Sequence, residues 1–152
     1  MQGRSRSIHL SVHIHKDPAA MAERAAHILA AACEEAVAER GVFKIALSGG
    51  QTPIPLFRLL VASDWADRLP WDKMTFFWVD ERCVPPTSPD SNYGHANHLL
   101  FKPLRIPADH IHRIKGENEP GTEAMRYSWV VKEFLPLFNQ MPTFDCIILG
   151  VG

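Results

Sequence analysis

Apolar and polar positions alternate cleanly from Ile8 to His15. Ile8, Leu10, Val12 and Ile14 fall on one face, and His9, Ser11, His13 and His15 on the other. A period of two predicts a half-exposed strand at a sheet edge. The period then lengthens. Met21, Ala25, Ile28, Leu29, Ala32, Cys33, Ala36 and Val37 recur at helical spacing, with Asp17-Pro18 as the start signal and Gly41 as the stop. Val42 to Leu47 is a short unbroken apolar run, the pattern of a buried strand. A helix follows from about Ile54 to Ala62, and Pro55 still falls within its first turn. Met74 to Val79 predicts an interior strand, and Ile111 to Ile114 a weaker one. Between them Ser91 or Asn92 caps a short helix through Leu100. A helix from Thr122 to near Pro136 is expected to bury Met125, Trp129 and Phe134, and Asp145 to Leu149 forms another interior strand.

Strands alternating with helices predict a doubly wound, mainly parallel α/β sheet with helices on both faces, a three-layer αβα arrangement. At 152 residues the chain corresponds to a single domain. The last strand is followed only by Gly150-Val151-Gly152, without the helix that should cover one of its faces. The domain, residues 1–152, is therefore expected to be C-terminally incomplete. Made alone, it should expose apolar surface there or self-associate through that side.

Charge narrows the partners. Sixteen basic and 17 acidic residues leave a net charge of −1, which gives no general attraction to nucleic acid or to an anionic membrane. No apolar run is long enough to span a bilayer. Cys33, Cys83 and Cys146 are odd in number and scattered, which fits a reducing cytoplasm better than a disulfide framework. An anion site, if present, must be local.

One stretch offers such a site. Phe43 to Pro53 runs from apolar strand through Ser48-Gly49-Gly50-Gln51 to Thr52-Pro53, where the next helix begins and where Thr52 is expected to cap it. Glycines permit close backbone approach, and N–H groups at a helix start suit phosphate. A tight turn with no ligand would look the same. Ligands in open α/β sheets bind beyond the carboxyl ends of the strands. Three distant segments leave strands at that edge: Ser48 to Thr52, Asp80 to Arg82, and Gly150 to Gly152. Arg82 offers a forked donor to phosphate, and Asp80 can orient it or accept a sugar hydroxyl. Taken alone, Asp80-Glu81-Arg82 is better explained as a surface ion pair at a strand end, and it is the convergence with the glycine loop that favours a site.

Other features weigh less. His13 with His15, and His110 with His112, lack a third ligand at convincing spacing, so exposed strand histidines are expected and no metal. His95 and His98, three apart on a short helix, are likewise expected to face solvent. Cys83 beside Arg82 has no identifiable base to make it a nucleophile. No Lys-Ser or Lys-Thr follows the glycines, which excludes a Walker loop, and the Gly150-Val151-Gly152 turn stops before a third dinucleotide-binding glycine.

Four segments together carry more information. Leu47-Ser48-Gly49-Gly50-Gln51-Thr52-Pro53, Phe77-Trp78-Val79-Asp80-Glu81-Arg82-Cys83-Val84-Pro85, Asp90-Ser91-Asn92-Tyr93-Gly94 and Phe144 to Gly152 resemble, in that order, the 6-phosphogluconolactonase family. Gln51 departs from the serine usual in that loop. Related glucosamine-6-phosphate deaminases usually carry Asp-Glu-Tyr where this chain has Asp80-Glu81-Arg82. The resemblance implies a modified Rossmann-like, sugar-phosphate-binding domain and hydrolysis of 6-phosphoglucono-1,5-lactone in the pentose phosphate pathway, without cofactor or metal. It assigns Ser48, Gly49, Gly50 and Thr52 to substrate binding, Arg82 to the phosphate, Asp80 and Asn92 to hydroxyls or to orienting the site, and Gly150 and Gly152 to its wall. Asp80 and Arg82 are the catalytic candidates within the chain. The family's histidine base lies in an Asp-Gly-His-Thr-Ala-Ser segment that would follow Gly152. Two other readings share the fold: a sugar-phosphate isomerase or deaminase, and a non-catalytic sugar-phosphate binding module.

Overall fold

The computed structural model describes residues 9–150. Helix α1, Pro18–Arg40, starts and stops where the sequence predicts: Asp17 Oδ1 accepts from the Ala20 N–H at 2.8 Å, and the Gly41 N–H donates to the Val37 carbonyl at 2.9 Å. Its buried stripe is different from the one expected. Ala22, Ala26, Leu29, Ala30, Cys33 and Ala36 face the core, while Met21 and Ile28 are exposed. A stripe made mostly of alanine and cysteine lets the helix axis approach a sheet that supplies the bulk itself.

That bulk comes from β1, Phe43–Leu47, and β2, Met74–Trp78, which pair in parallel from Phe43 opposite Met74 to Leu47 opposite Trp78. Between them lie α2, Ile54–Leu60, and α3, Ser63–Ala66. Side chains alternate across the sheet. Phe43, Ile45, Leu47, Met74, Phe76 and Trp78 join the main core with α1 and α2, whereas Ala46 and Phe77 enter a smaller cluster with Leu135 on the opposite face. Helix α4, Asn92–Ala96, continues through a π-helical turn, Asn97–Phe101, into α5, Lys102–Leu104, and seals the main core with Leu100 and Phe101. Helix α6, Pro120–Phe134, lies on the other face and ends at a small hairpin of β3, Leu137–Phe138, and β4, Met141–Pro142. Strand β5, Cys146–Ile147, adds to β1 in parallel, giving the order β2-β1-β5. The doubly wound parallel plan is therefore the observed one.

Several sequence expectations change in detail. Residues 9–15 form no strand among the described residues; Leu10, Val12 and Ile14 are exposed, and Ile8 lies outside the described residues. Alternation marks a segment able to pair, but pairing needs a neighbouring edge, and no strand ladder engages it among the described residues. The segment from Ile111 to Ile114 makes one parallel bridge, Ile111 to Phe76, and no longer ladder. His112 is not an exposed strand histidine. Its N–H donates to the Phe76 carbonyl and its ring lies between Phe77 and Phe134, where burial lowers its pKa. Strand β5 is an edge rather than an interior strand among the described residues, and Ile147 and Leu149 are 51% and 69% exposed.

Helix α6 departs most from expectation. Met125 and Trp129 are exposed at 65% and 69%, and Phe134 is partly so, because the stripe that faces inward is Glu123, Arg126, Tyr127, Val130 and Val131. Its first half is polar by design of the network beneath it. Glu123 is buried and accepts from Arg126 Nε at 2.8 Å and Nη2 at 2.5 Å, from the Lys115 N–H at 2.7 Å and from Asn118 Nδ2 at 3.0 Å. Tyr127 places its hydroxyl at the end of β2, accepting from the Trp78 N–H at 2.8 Å and donating toward the His112 carbonyl at 3.1 Å; burial pushes its pKa up to about 12.

The hydrogen bonds from Arg126 hold Glu123 at a pKa of about 2, below the ordinary 4.5. A carboxylate depressed in the folded state stabilises it above the unfolded pKa, and that contribution is lost as pH falls from about 4.5 through about 2. Glu123→Gln is therefore expected to lower stability at neutral pH by about 1–3 kcal/mol. It should also flatten the acid limb in that window. Urea unfolding of both proteins from pH 7 to 2.5 checks this, and parallel pH profiles would count against the role.

Candidate active site

At the carboxyl ends of β1 and β2 two loops leave the sheet side by side. The first, Ser48 to Thr52, is the glycine loop. Among the described residues, the N–H groups of Gly49, Gly50, Gln51 and Thr52 have no intramolecular acceptor. Gly50 has φ of +76°, a conformation that disfavours side chains, and a Cβ there would meet open space. Gly49 is needed for a different reason. A Cβ on it would lie 1.8 Å from Asn92 Oδ1 and 1.9 Å from Asn92 Cγ, so the absent side chain is the space the asparagine occupies. Thr52 does not cap α2: Pro53 takes the N-cap position with no side-chain cap bond, and Thr52 is exposed. A proline at N-cap with another in the first turn already suits the helix start, which leaves the threonine hydroxyl unused by it.

The second loop is Asp80-Glu81-Arg82. Asp80 is tied to α4 through Asn92, whose Nδ2 donates to the Asp80 carbonyl at 3.2 Å and to its Oδ2 at 3.3 Å. Ser91 is the actual cap of α4, its Oγ accepting from the Gly94 N–H at 2.9 Å. That frees the neighbouring Asn92 side chain, which is buried, to bridge the two loops. The structure thus brings Gly49, Asp80 and Asn92 into one contact. Ser48 is also buried, its hydroxyl has no partner among the described residues, and a Cβ on Gly150 would sit 3.8 Å from it. Gly152 lies outside the described residues.

Arg82 is exposed. With Asp80, Glu81 and Cys83 it lines a cavity of about 460 Å³ closed by Lys115, Gly116 and the first turns of α6 up to Ser128. The glycine loop does not line this cavity. Its floor is stiff, because the backbone at Gly116 packs so closely that a Cβ would come within 2.0 Å of the Arg82 carbonyl. Sequence reading missed Lys115, Tyr127 and Ser128 as lining residues. They lie on segments whose pattern shows only a polar loop and an amphipathic helix, and only the packing of α6 turns them toward Arg82.

Comparison with known proteins decides the family. A profile of glucosamine-6-phosphate isomerases/6-phosphogluconolactonase matches residues 16–152. The chain belongs to this family. It is 46% identical over 108 residues to a 6-phosphogluconolactonase of Haemophilus influenzae, covering 71% of this chain and 45% of that protein. It is 36% identical over 140 residues to one of Treponema pallidum, covering 92% of this chain and 56% of the relative. The crystal structure of devB protein superposes with a TM-score of 0.77 at 44% identity over 86% of this chain and 55% of that one. The Trypanosoma brucei 6-phosphogluconolactonase superposes with a TM-score of 0.80 at 26% identity, over 96% and 61%. The family member described here therefore spans about half the length of the curated relatives it matches.

If Gly49 is the socket for Asn92, then Gly49→Ala must displace a buried, hydrogen-bonded side chain. The expected cost is about 1–3 kcal/mol of stability from overpacking. Asn92→Ala in the same chain should relieve most of it. Thermal or urea unfolding of the two single variants and the double checks the pairing, and additive costs would sink it.

Proposed function

We propose that this chain supplies the phosphate loop and the Asp-Glu-Arg side of an enzyme that hydrolyses 6-phosphoglucono-1,5-lactone to 6-phosphogluconate. The observation that carries the reading is the identity of 36–46% to proteins named 6-phosphogluconolactonase, over a segment that contains both loops. Glucosamine-6-phosphate deaminases are the alternative within the family. A monomeric member of that class superposes with a TM-score of 0.68 at 20% identity, a likeness of fold. The arginine at position 82, where the deaminase pattern usually has tyrosine, favours the lactonase.

The chemistry asked of the site is modest. A lactone carbonyl is already electrophilic, so a held substrate, a positioned water and a base near neutral pKa suffice. The base takes the water proton as oxygen bonds to the lactone carbon; the bond from that carbon to the ring oxygen then breaks and the ring oxygen receives a proton. In our reading the N–H groups of Gly49, Gly50 and Thr52 and the Ser48 hydroxyl hold the sugar phosphate, and Arg82 binds its phosphate as a planar fork. Asp80 orients a hydroxyl, and Asn92 sets Asp80 against the loop. Gly150 and Gly152 form the wall. The histidine base expected from the resemblance belongs to the segment that follows Leu-Gly-x-Gly in relatives, so the whole protein carries the activity and residues 1–152 alone are expected to be inactive. No cofactor is required by this chemistry. The scattered thiols support a cytoplasmic location.

Full-length protein should hydrolyse the lactone and leave glucosamine 6-phosphate untouched; the opposite result would transfer the chain to the deaminases. Arg82→Lys keeps the charge and loses the fork. A drop of about 10- to 100-fold in kcat/KM, about 1–3 kcal/mol, is expected. Wild-type kinetics in that variant would remove Arg82 from the phosphate site.

Exposed apolar side chains at Met125, Trp129, Ile147 and Leu149 are expected to let residues 1–152, made alone, self-associate. Sedimentation should then show a mass that rises with concentration and falls back in Trp129→Glu. A monomer across the range would rule that association out.

A further inference from the structure

Glu81 has no role in the reading above. Between Asp80 and Arg82 it invites interpretation as half of a strand-end ion pair, yet no ion pair involving it forms among the described residues. Its carboxylate instead collects four donors. Oε1 accepts from the Arg82 N–H at 2.8 Å and from the Asn92 N–H at 2.7 Å. Oε2 accepts from the Tyr93 N–H at 2.9 Å and from Ser91 Oγ at 3.1 Å. Three of these four donors are the start of α4, where N–H groups lack helical acceptors and a negative charge is favoured by the helix dipole. The fourth is the turn that carries Arg82. Glu81 therefore staples the end of β2 to the start of α4.

The consequence reaches the site through one residue. With its N–H held by Glu81, Asn92 has its Cα fixed, and its side chain is directed to the Asp80 carboxylate and into the space beside Gly49. We propose that Glu81 is the positioning residue of this active site, acting through Asn92 to set the Asp80 carboxylate at a fixed place relative to the glycine loop. The inference rests on the lactone-hydrolase reading of the same site. Glutamate suits the task specifically. Aspartate is one methylene too short to span from the turn to the helix start, and glutamine would turn an amide N–H₂ toward N–H donors at one of the two oxygens.

The test is a double-mutant cycle in the full-length enzyme with 6-phosphoglucono-1,5-lactone as substrate. Glu81→Gln should lower kcat/KM at least tenfold, with most of the loss in kcat. Because its effect runs through Asp80, Glu81→Gln combined with Asp80→Asn should be no slower than Asp80→Asn alone. Asn92→Ala breaks the same path downstream while leaving the Glu81 bonds to backbone intact. It should reproduce the loss and the non-additivity, which keeps the test decisive if Glu81→Gln folds poorly. A merely structural role predicts losses that multiply in both pairs, and that result overturns the proposal. If wild-type protein does not turn over the lactone, the functional reading fails first and takes this inference with it; active wild type with multiplying losses rejects the inference alone.

Discussion

Everything at the site depends on the register of one parallel strand pair. Phe43 to Leu47 lie opposite Met74 to Trp78 without offset, so both strands end at the same level. The Leu47 carbonyl even accepts from the Val79 N–H at 3.0 Å, extending the pairing to the last residue before the second loop. A shift of one residue would exchange the two faces of every side chain. Phe77 would then meet the alanine-rich face of α1, and Phe76 and Trp78 would leave the main core. The register is thus enforced by packing, and the packing in turn delivers the glycine loop and the Asp-Glu-Arg turn side by side.

The two faces of the sheet differ in kind. One is apolar and closed by α1, α2 and the helical segment ending at Leu104, with Phe76, Trp78 and Phe101 in edge-to-face contact. The other is held at one end by Leu135, Phe77 and Phe144 and at the other by the Glu123–Arg126 network under α6. A buried carboxylate with four donors is a costly group to satisfy halfway, so it fixes the axial position of α6 more sharply than apolar contacts would. Tyr127 then lies at the end of β2, and the cavity beside Arg82 takes its shape from that placement.

A carboxylate also organises the opposite edge of the sheet. Asp145 accepts from the Lys44 N–H and from Arg40, each at 2.7 Å, joining the end of α1 to β1 and the approach to β5. Three acidic residues with different neighbours, Glu81, Glu123 and Asp145, therefore do the same physical job: each satisfies backbone N–H groups that the ladders and helices leave over. In a chain of net charge −1 such local work is invisible in the total.

Local chemistry was legible in the sequence where a residue's role depends on its immediate neighbours. Asp17, Pro18 and Gly41 mark the limits of α1 because caps act within a few residues. The unbroken apolar runs around Phe43 and Phe76 mark buried strands because both their faces are covered, although only the first is central in the sheet and the second ends it apart from the single bridge to Ile111. The glycine loop is recognisable because a strand, two glycines and a proline-led helix are adjacent in the chain. Tertiary structure decided what adjacency cannot. Periodicity counts Met125 and Trp129 as the buried face of α6, but buried Glu123 and Tyr127 face the sheet, since partners up to 49 residues away satisfy them. Gly49 is required by Asn92, a residue 43 positions on. Glu81 reads as a surface charge until α4 arrives above it. A sequence records which groups are polar; only the fold determines which of them meet, and a buried polar group has no meaning apart from the partner that satisfies it.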